Sequence, residues 1–355
     1  MQTLRRSVSI ANRVCPRNTR TPSPIDQPIN KIIAMTKASW LAAFAALSLA
    51  FAGLPSIAGQ PAAASPTLAA PQLVIIDTDI GDDIDDAFAL ALALRSPQLR
   101  ILGITTDFGD TTLRARLVDR FLHAVSRSGI PVAVGIRTHE TGFTQAAYAR
   151  LQPPQPHPDA VGFLLGQIRA HPGQITLVAI GPLVNVRAAI ARDPATLRKL
   201  RRVVMMGGSI RRGYNDSKTG APRPPDPEWN IRCDPAGARA LLASGVPVYM
   251  MPLDSTQVPL DAANREKLFA RQTPLTDQLE MLYGEWSRAT GRSTPILYDP
   301  VALTYALQPA LCPVQPMHLE VTAKGYTRPT PGPPNAQVCL QSDPTAILGF
   351  LMPRL

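Results

Sequence analysis

Leu73-Val74-Ile75-Ile76-Asp77-Thr78-Asp79-Ile80-Gly81-Asp82-Asp83-Ile84-Asp85-Asp86-Ala87-Phe88-Ala89-Leu90 carries the reading of this chain. Its first four residues are a continuous apolar run, the pattern of a short strand buried on both faces. From Asp85 the composition turns to Ala and Leu and predicts a helix to Leu94. Between strand and helix lie six aspartates in ten residues, 77–86. So many carboxylates cannot all ionise in a dry site, because like charges repel and raise one another's pKa. A divalent cation resolves that conflict, and all-oxygen donors favour Ca²⁺ or Mg²⁺ over zinc. The alternative is a solvated acidic turn that caps the next helix. The apolar runs on both sides argue against it.

Outward from this segment, apolar runs and amphipathic stretches alternate. Strands are predicted at 99–105, 132–134, 175–180, 202–206 and 246–251. Helices are predicted at 113–128, 161–170, 184–191 and 235–244. Repeated β-α units imply an α/β fold, an open and mostly parallel Rossmann-like sheet flanked by helices, over residues 73–355. Such sheets bind ligands beyond the carboxyl ends of their strands, where the aspartates lie. After Asp254 the pattern becomes mainly helical, through 261–270 and 275–290. The Pro- and Gly-rich stretch 324–335 reads as an exposed loop.

Upstream, the chain changes character. Of 36 Lys and Arg, seven fall in residues 1–64 with a single acid, Asp26, so the net charge of +10 drops to +4 for the remainder. A nucleic-acid-binding reading loses its main support. From Met35, Lys37 and the apolar run Trp40 to Leu54 read as a signal peptide over 35–64, with Ala62-Ala63-Ala64 a candidate cleavage site and Ser56-Ile57-Ala58 a second. An uncleaved anchor is the alternative. Residues 1–34 read as an over-extended start or leader, and 65–72 as a linker. The expectation is a periplasmic or secreted protein, free of the membrane after cleavage. In an oxidising compartment Cys312 and Cys339 either close the loop between them or remain separate thiols. Cys15 lies in the leader, and Cys233 reads as a small buried hydrophobe.

The segment D-T-D-I-G-D-D-I-D-D-A-F-A-L, 77–90, resembles D-T-D-P-G-x-D-D-A-x-A-L of the inosine–uridine nucleoside hydrolases. Further matches follow in order. Ile180-Gly181-Pro182-Leu183-Val184-Asn185 is similar to G-P-L-T-N, Met205-Met206-Gly207-Gly208 to M-G-G, and Pro227-Glu228-Trp229-Asn230-Ile231 to A-E-F-N. Tyr298-Asp299-Pro300 falls where that family has H-D. The resemblance spans roughly residues 73–345.

That resemblance implies Ca²⁺-dependent hydrolysis of the N-glycosidic bond of a ribonucleoside, and a homo-oligomer. The implied metal positions are Asp79, Asp86, the carbonyl of Ile180, and Asp299. Asp85 corresponds to the general base that takes the proton of the attacking water. Glu228 and Asn230 match sugar-binding positions, with Trp229 packing the other way in an extended segment. Met206, Asn215 and Asp110 are further substrate-side candidates, and Asp77 is expected to orient its neighbours. The chain has two more residues between Gly81 and Ala87 than the family pattern, so Asp83 could take a ligand role instead. Tyr298 stands where many members have the His that protonates the leaving base. Tyr is a poorer acid, which shifts the expectation toward stacking of the base on Trp229, Tyr214, Phe108 or Tyr298.

Three other readings compete. A dehalogenase-type phosphatase also uses Asp-x-Asp after its first strand, but Gly81 stands where that family has Thr or Val. A non-catalytic Ca²⁺-dependent nucleoside- or ribose-binding protein has no need of Asp85. A dinucleotide-binding domain needs a glycine fingerprint that is absent after the first strand.

Overall fold

Val74, Ile75 and Ile76 are fully buried and point alternately to opposite sides of a sheet. Two-sided burial is the physical reason for an unbroken apolar run instead of alternation. The computed structural model describes residues 70–138, 142–216 and 219–355. The expected leader and signal peptide, Cys15 and the expected linker up to residue 69 lie outside these. The strand itself, β1 (Gln72–Thr78), begins one residue earlier than expected, inside the expected linker.

The strands that follow are β2 (Leu99–Thr106), β3 (Val132–Val134), β4 (Thr176–Ala179), β5 (Arg202–Met206), β6 (Val248–Met251), β7 (Val314–Met317), β8 (Leu319–Val321), β9 (Thr327–Pro329) and β10 (Ala336–Cys339). Among the described residues, eight form one sheet in the order β3-β2-β1-β4-β5-β6-β10-β7. All neighbours pair in parallel except β10 and β7. The expected open, mostly parallel sheet is what the chain forms. The order runs outward from β1 in one direction and from β4 in the other. The switch point therefore lies between β1 and β4, where an open sheet leaves a crevice for ligand.

Helices cover both faces. The first, α1 (Asp85–Leu94), is buried along its whole length and packs against the helix Asp299–Leu307. That explains its Ala- and Leu-rich, weakly amphipathic composition. The second, α2 (Thr111–Ala124), starts after β2 with Asp110 as its N-cap.

The last third departs from expectation. The helix Asp299–Leu307 was hidden because its burial on nearly all sides erases the periodicity that reveals surface helices. The expected loop at 324–335 contains β9, which forms a two-stranded antiparallel pair with β8. The edge strand β7 carries Pro316, which is tolerated at an edge and obscures the strand in sequence. Cys312 and Cys339 are disulfide-bonded, with Cα atoms 5.6 Å apart. Cys233 is half-buried beside Phe108 and Val184 and is disulfide-bonded, not the small buried hydrophobe expected.

Candidate active site

The β1–α1 loop delivers its carboxylates into the switch-point crevice. Asp85 and Asp86 open α1, where the helix dipole favours negative charge. Asp299 opens the helix Asp299–Leu307, which packs against α1. Asp85, Asp86 and Asp299 are all buried, and one carboxylate oxygen from each lies within 4.8 Å of the others. This triad could hold a metal ion.

Each member is oriented by a specific bond. Asp85 Oδ2 accepts from the backbone N–H of both Tyr298 and Asp299, at 3.2 Å each. Those bonds tie the start of α1 to the start of its partner helix. The Thr78 hydroxyl donates to Asp86 Oδ1 at 2.5 Å. Burial, reinforced by mutual repulsion, pushes the carboxyls of Asp85, Asp86 and Asp299 well above their usual range. Asp79 is pushed up to about 7, chiefly by burial and against the pull of Arg114. Its carboxylate lies against Gly181, where a Cβ would come within 2.9 Å of Asp79 Oδ1 and 2.6 Å of Asp107 Oδ1. Only a glycine lets the β4 loop approach so closely.

Deeper still, Asp77 Oδ1 accepts from the Thr105 hydroxyl and from Asn185 Nδ2 (2.8 Å), while no protein donor reaches its Oδ2. Asp107 is fully buried; no protein donor reaches either of its oxygens, and its carboxyl lies within hydrogen-bond reach of that of Asp77. Burial, then the charges of Asp77 and Asp79, push it well above the usual range. Buried carboxylates crowded against one another with few donors fit a site built around a cation. The donors are all oxygen, which suits a hard divalent ion.

The sugar-side candidates are more constrained than their types imply. Glu228 is the N-cap of the helix Trp229–Cys233. Its Oε1 accepts from Asn230 N (2.9 Å), and its Oε2 from Gly208 N (2.9 Å) and Ile231 N (3.1 Å). The segment is therefore helical from Trp229, not extended, because the Glu228 carboxylate satisfies the first amides of that turn. Asn230 Nδ2 donates to the carbonyls of Ile180 (3.3 Å) and Met206 (3.1 Å), joining the ends of β4 and β5. Asn215 is held by Gln257 at its backbone N–H and by Arg212 at its side-chain oxygen. Asp110 caps α2 through Leu113 N and pairs with Arg137 at 2.9 Å. Asp107, three residues earlier, is the β2-loop acid that meets Asp77 and Asp79.

Aromatic rings flank the cluster. Tyr298 meets Tyr214 edge to face at 6.0 Å, and Phe108 meets Trp229 likewise at 6.4 Å. The Tyr214 hydroxyl accepts from Trp229 N at 3.0 Å. Burial, then Asp83 and Asp85, push the Tyr298 phenol further above its usual value. It stays protonated across any ordinary pH, able to donate a hydrogen bond and poorly able to release a proton.

Asp107, Arg114 and the pair Thr144–Gln145 were not singled out from the sequence. The lone signal for Asp107 is an acid one residue past an otherwise apolar and Thr-rich strand.

The profile of the inosine-uridine preferring nucleoside hydrolases matches residues 74–348. The chain belongs to that family. A probable uridine nucleosidase of Arabidopsis thaliana is 31% identical over 279 residues, 72% of this chain and 83% of its own. The pyrimidine-specific ribonucleoside hydrolase RihB of Escherichia coli O1:K1 is 34% identical over 198 residues, 52% of this chain and 60% of its own. Among solved structures, a plant nucleoside hydrolase superposes with a TM-score of 0.68 at 25% identity, over 80% of this chain and 98% of that one. A purine-preferring ribonucleoside hydrolase from Gardnerella vaginalis, at 23% identity and TM-score 0.67, shares the fold over 80% of this chain and 98% of its own. As a nucleoside hydrolase, this protein carries a cluster of buried acids at the switch point of the sheet, and the resemblance read from residues 77–90 outward holds.

Proposed function

We propose that this hydrolase splits the N-glycosidic bond of ribonucleosides to free base and ribose, with Ca²⁺ held by Asp79, Asp86, Asp299 and the Ile180 carbonyl. The convergence of Asp86 and Asp299, together with Asp85, within 4.8 Å carries the metal reading; Asp79 and the Ile180 carbonyl lie outside that triad and are assigned from the family resemblance. The relatives named for uridine and for pyrimidine ribonucleosides support the substrate class. A divalent cation bound there acidifies water and grips vicinal hydroxyls.

The chain's own groups supply the rest. Asp85 is the general base. Its two amide bonds both fall on Oδ2, which fixes the carboxylate plane for proton transfer at the other oxygen. The surrounding carboxylates stabilise the positive charge that develops on the sugar ring in an oxocarbenium-like transition state. Asn230 keeps the Ile180 carbonyl in place, and its amide oxygen would accept from a sugar hydroxyl. Glu228, with both oxygens on backbone amides, acts mainly by shaping that wall and offers its remaining lone pairs to the sugar. Tyr298, Tyr214, Trp229 and Phe108 provide apolar faces for the base.

The test uses protein stripped with EDTA, then assayed against a panel of ribonucleosides with Ca²⁺, with Mg²⁺ and without metal. Release of base and ribose that returns with Ca²⁺ is expected. Undiminished release in EDTA contradicts the metal assignment, and no release from any ribonucleoside contradicts the substrate assignment.

The apolar run after Lys37 supports export with removal of residues up to about the Ala62-Ala63-Ala64 site. The Cys312–Cys339 disulfide is in keeping with an oxidising compartment. N-terminal sequencing of the native protein checks it, and an intact leader on a cytosolic product overturns it.

A further inference from the structure

The two residues that lengthen the β1–α1 loop raise a physical problem. A longer loop has more conformations, yet it must present Asp79 at one end and Asp85 and Asp86 at the other in fixed positions. The carbonyls of five consecutive residues in this loop are each bound by a group from elsewhere in the chain. The Thr144 hydroxyl donates to the carbonyls of Gly81 (2.9 Å) and Asp82 (2.6 Å), and Gln145 Nε2 to that of Asp83 (2.7 Å). Arg114, from the first turn of α2, takes the other two. Its Nη1 donates to the carbonyls of Asp79 and Ile80, the latter at 2.8 Å. Its Nη2 pairs with the Asp82 carboxylate at 2.7 Å, and its Nε donates to the Phe108 carbonyl at 2.8 Å.

Arg114 is 1% exposed, and its guanidinium lies over the Phe143 ring at 5.0 Å from the centroid. A charge so buried is costly unless paired and fully hydrogen-bonded, and here it is both. Burial works against its charge, but Asp82, Asp79 and Asp86 outweigh it and hold it above the usual guanidinium value. The same fork anchors Phe108, whose φ of +50° is unfavourable for a residue with a Cβ. One side chain thus ties the loop that carries the acids to the turn that carries an aromatic face of the site.

We propose that Arg114 is a positioning residue for the metal site: through the carbonyls of Asp79 and Ile80 and the carboxylate of Asp82, it holds the lengthened loop in the conformation that binds the cation. The proposal rests on the metal reading given under Proposed function. Arg114 donates no hydrogen bond to a proposed ligand oxygen. Its charge, which also acts on Asp79 and Asp86, is kept in Arg114→Lys, so that variant isolates the effect on the loop's conformation. Lys cannot replace it, because a single ammonium does not present a planar fork to acceptors on two loops.

The test is calorimetric titration of Ca²⁺ into the metal-stripped protein, with melting temperatures in EDTA and in saturating Ca²⁺. Arg114→Lys should weaken Ca²⁺ binding by about 10- to 100-fold, the range for a lost outer partner of a metal ligand. It should also shrink the Ca²⁺-dependent rise in melting temperature, while kcat returns toward wild type at saturating Ca²⁺. A merely structural Arg114 would lower the melting temperature in EDTA and leave the Kd alone. Asp82→Asn removes the ion pair, and with it one negative charge that acts on Asp79, at a side chain that is 35% exposed, and keeps the carbonyl bonds. It should fold normally and weaken Ca²⁺ by a smaller factor, about fivefold, and it decides the matter if Arg114→Lys does not fold. Wild-type Kd values in the folded variants overturn the proposal. If the wild-type protein itself binds no Ca²⁺, the metal reading fails first and this inference with it.

Discussion

The acidic side of the site and its aromatic side are held by different forces. Asp77, Asp79, Asp85, Asp86, Asp107 and Asp299 are each no more than 6% exposed, and most are oriented by backbone amides, hydroxyls or the Arg114-bound loop. Tyr214, Trp229 and Tyr298 are half-buried and meet their neighbours mainly through ring edges. Directional bonds in a dry site tolerate little displacement, because an unmet charge there is expensive. Edge contacts between rings contribute about 1 kcal/mol and can shift to admit a ligand face. Substitutions on the acidic side should therefore change chemistry or metal affinity, and those on the aromatic side should change affinity for the base.

Asp85→Asn tests that contrast most severely. Asn keeps the size and an acceptor for the amides of Tyr298 and Asp299, but cannot take a proton. Hydrolysis should fall by about 10²- to 10⁴-fold with Ca²⁺ binding and fold retained, read by steady-state kinetics beside calorimetry. An ion held in the triad would also lie within reach of Asp85. A large loss of Ca²⁺ affinity would move it from base to ligand, and wild-type turnover would make Asp83 the next candidate.

Asp86→Ala and Asp299→Ala should behave differently, weakening Ca²⁺ on the order of 10²-fold, at least the loss seen for outer-shell changes. Part of the activity should return at high Ca²⁺. Activity that stays lost at every Ca²⁺ concentration would erase the distinction between ligation and chemistry.

The Cys312–Cys339 bond closes a segment of 27 residues in sequence between the end of the helix carrying Asp299 and β10. A loop of that size contributes about 3 kcal/mol. Cys312→Ala with Cys339→Ala should lower stability by that order in chemical denaturation and leave the folded fraction's kcat unchanged. A drop in kcat would mean that the bond also positions Asp299.

The smallest effect is expected at Tyr298. Tyr298→Phe removes one hydroxyl and keeps the ring, so the loss should be about tenfold or less. The pH profile of kcat should keep its shape, since the raised phenol does not titrate in the working range. Tyr298→Ala should cost more, chiefly in KM for the base. A loss of several hundredfold in Tyr298→Phe, with Ca²⁺ binding intact, would make the phenol the leaving-group acid and bring it to the chemical side of the comparison.

The β1–α1 segment was legible because its signals are local. An apolar run buried on both faces, a string of acids and an Ala-rich helix start are consecutive in the chain, and the motifs at Ile180, Glu228 and Asp299 follow strands or open helices. The helix Asp299–Leu307, by contrast, shows no periodicity because nearly every side of it is buried. Asp107 and Arg114 are more opaque still. A single acid or arginine looks the same in sequence whether it is solvated or sealed beneath a sheet crossover. Arg114 meets its acceptors at Asp79, Ile80 and Asp82 across 32 to 35 residues of chain. Likewise, Glu228 was visible as an acid, but its commitment to the amides of Gly208, Asn230 and Ile231 depends on how β5 and the following helix meet. Sequence alone determined the layered fold and the chemistry of the first loop, since both follow from hydrophobic pattern and charge density. Which carboxylates lose water, which meet few donors, and which cation holds the loop were decided only by tertiary packing, because desolvation and hydrogen-bond partnership are properties of the assembled neighbours.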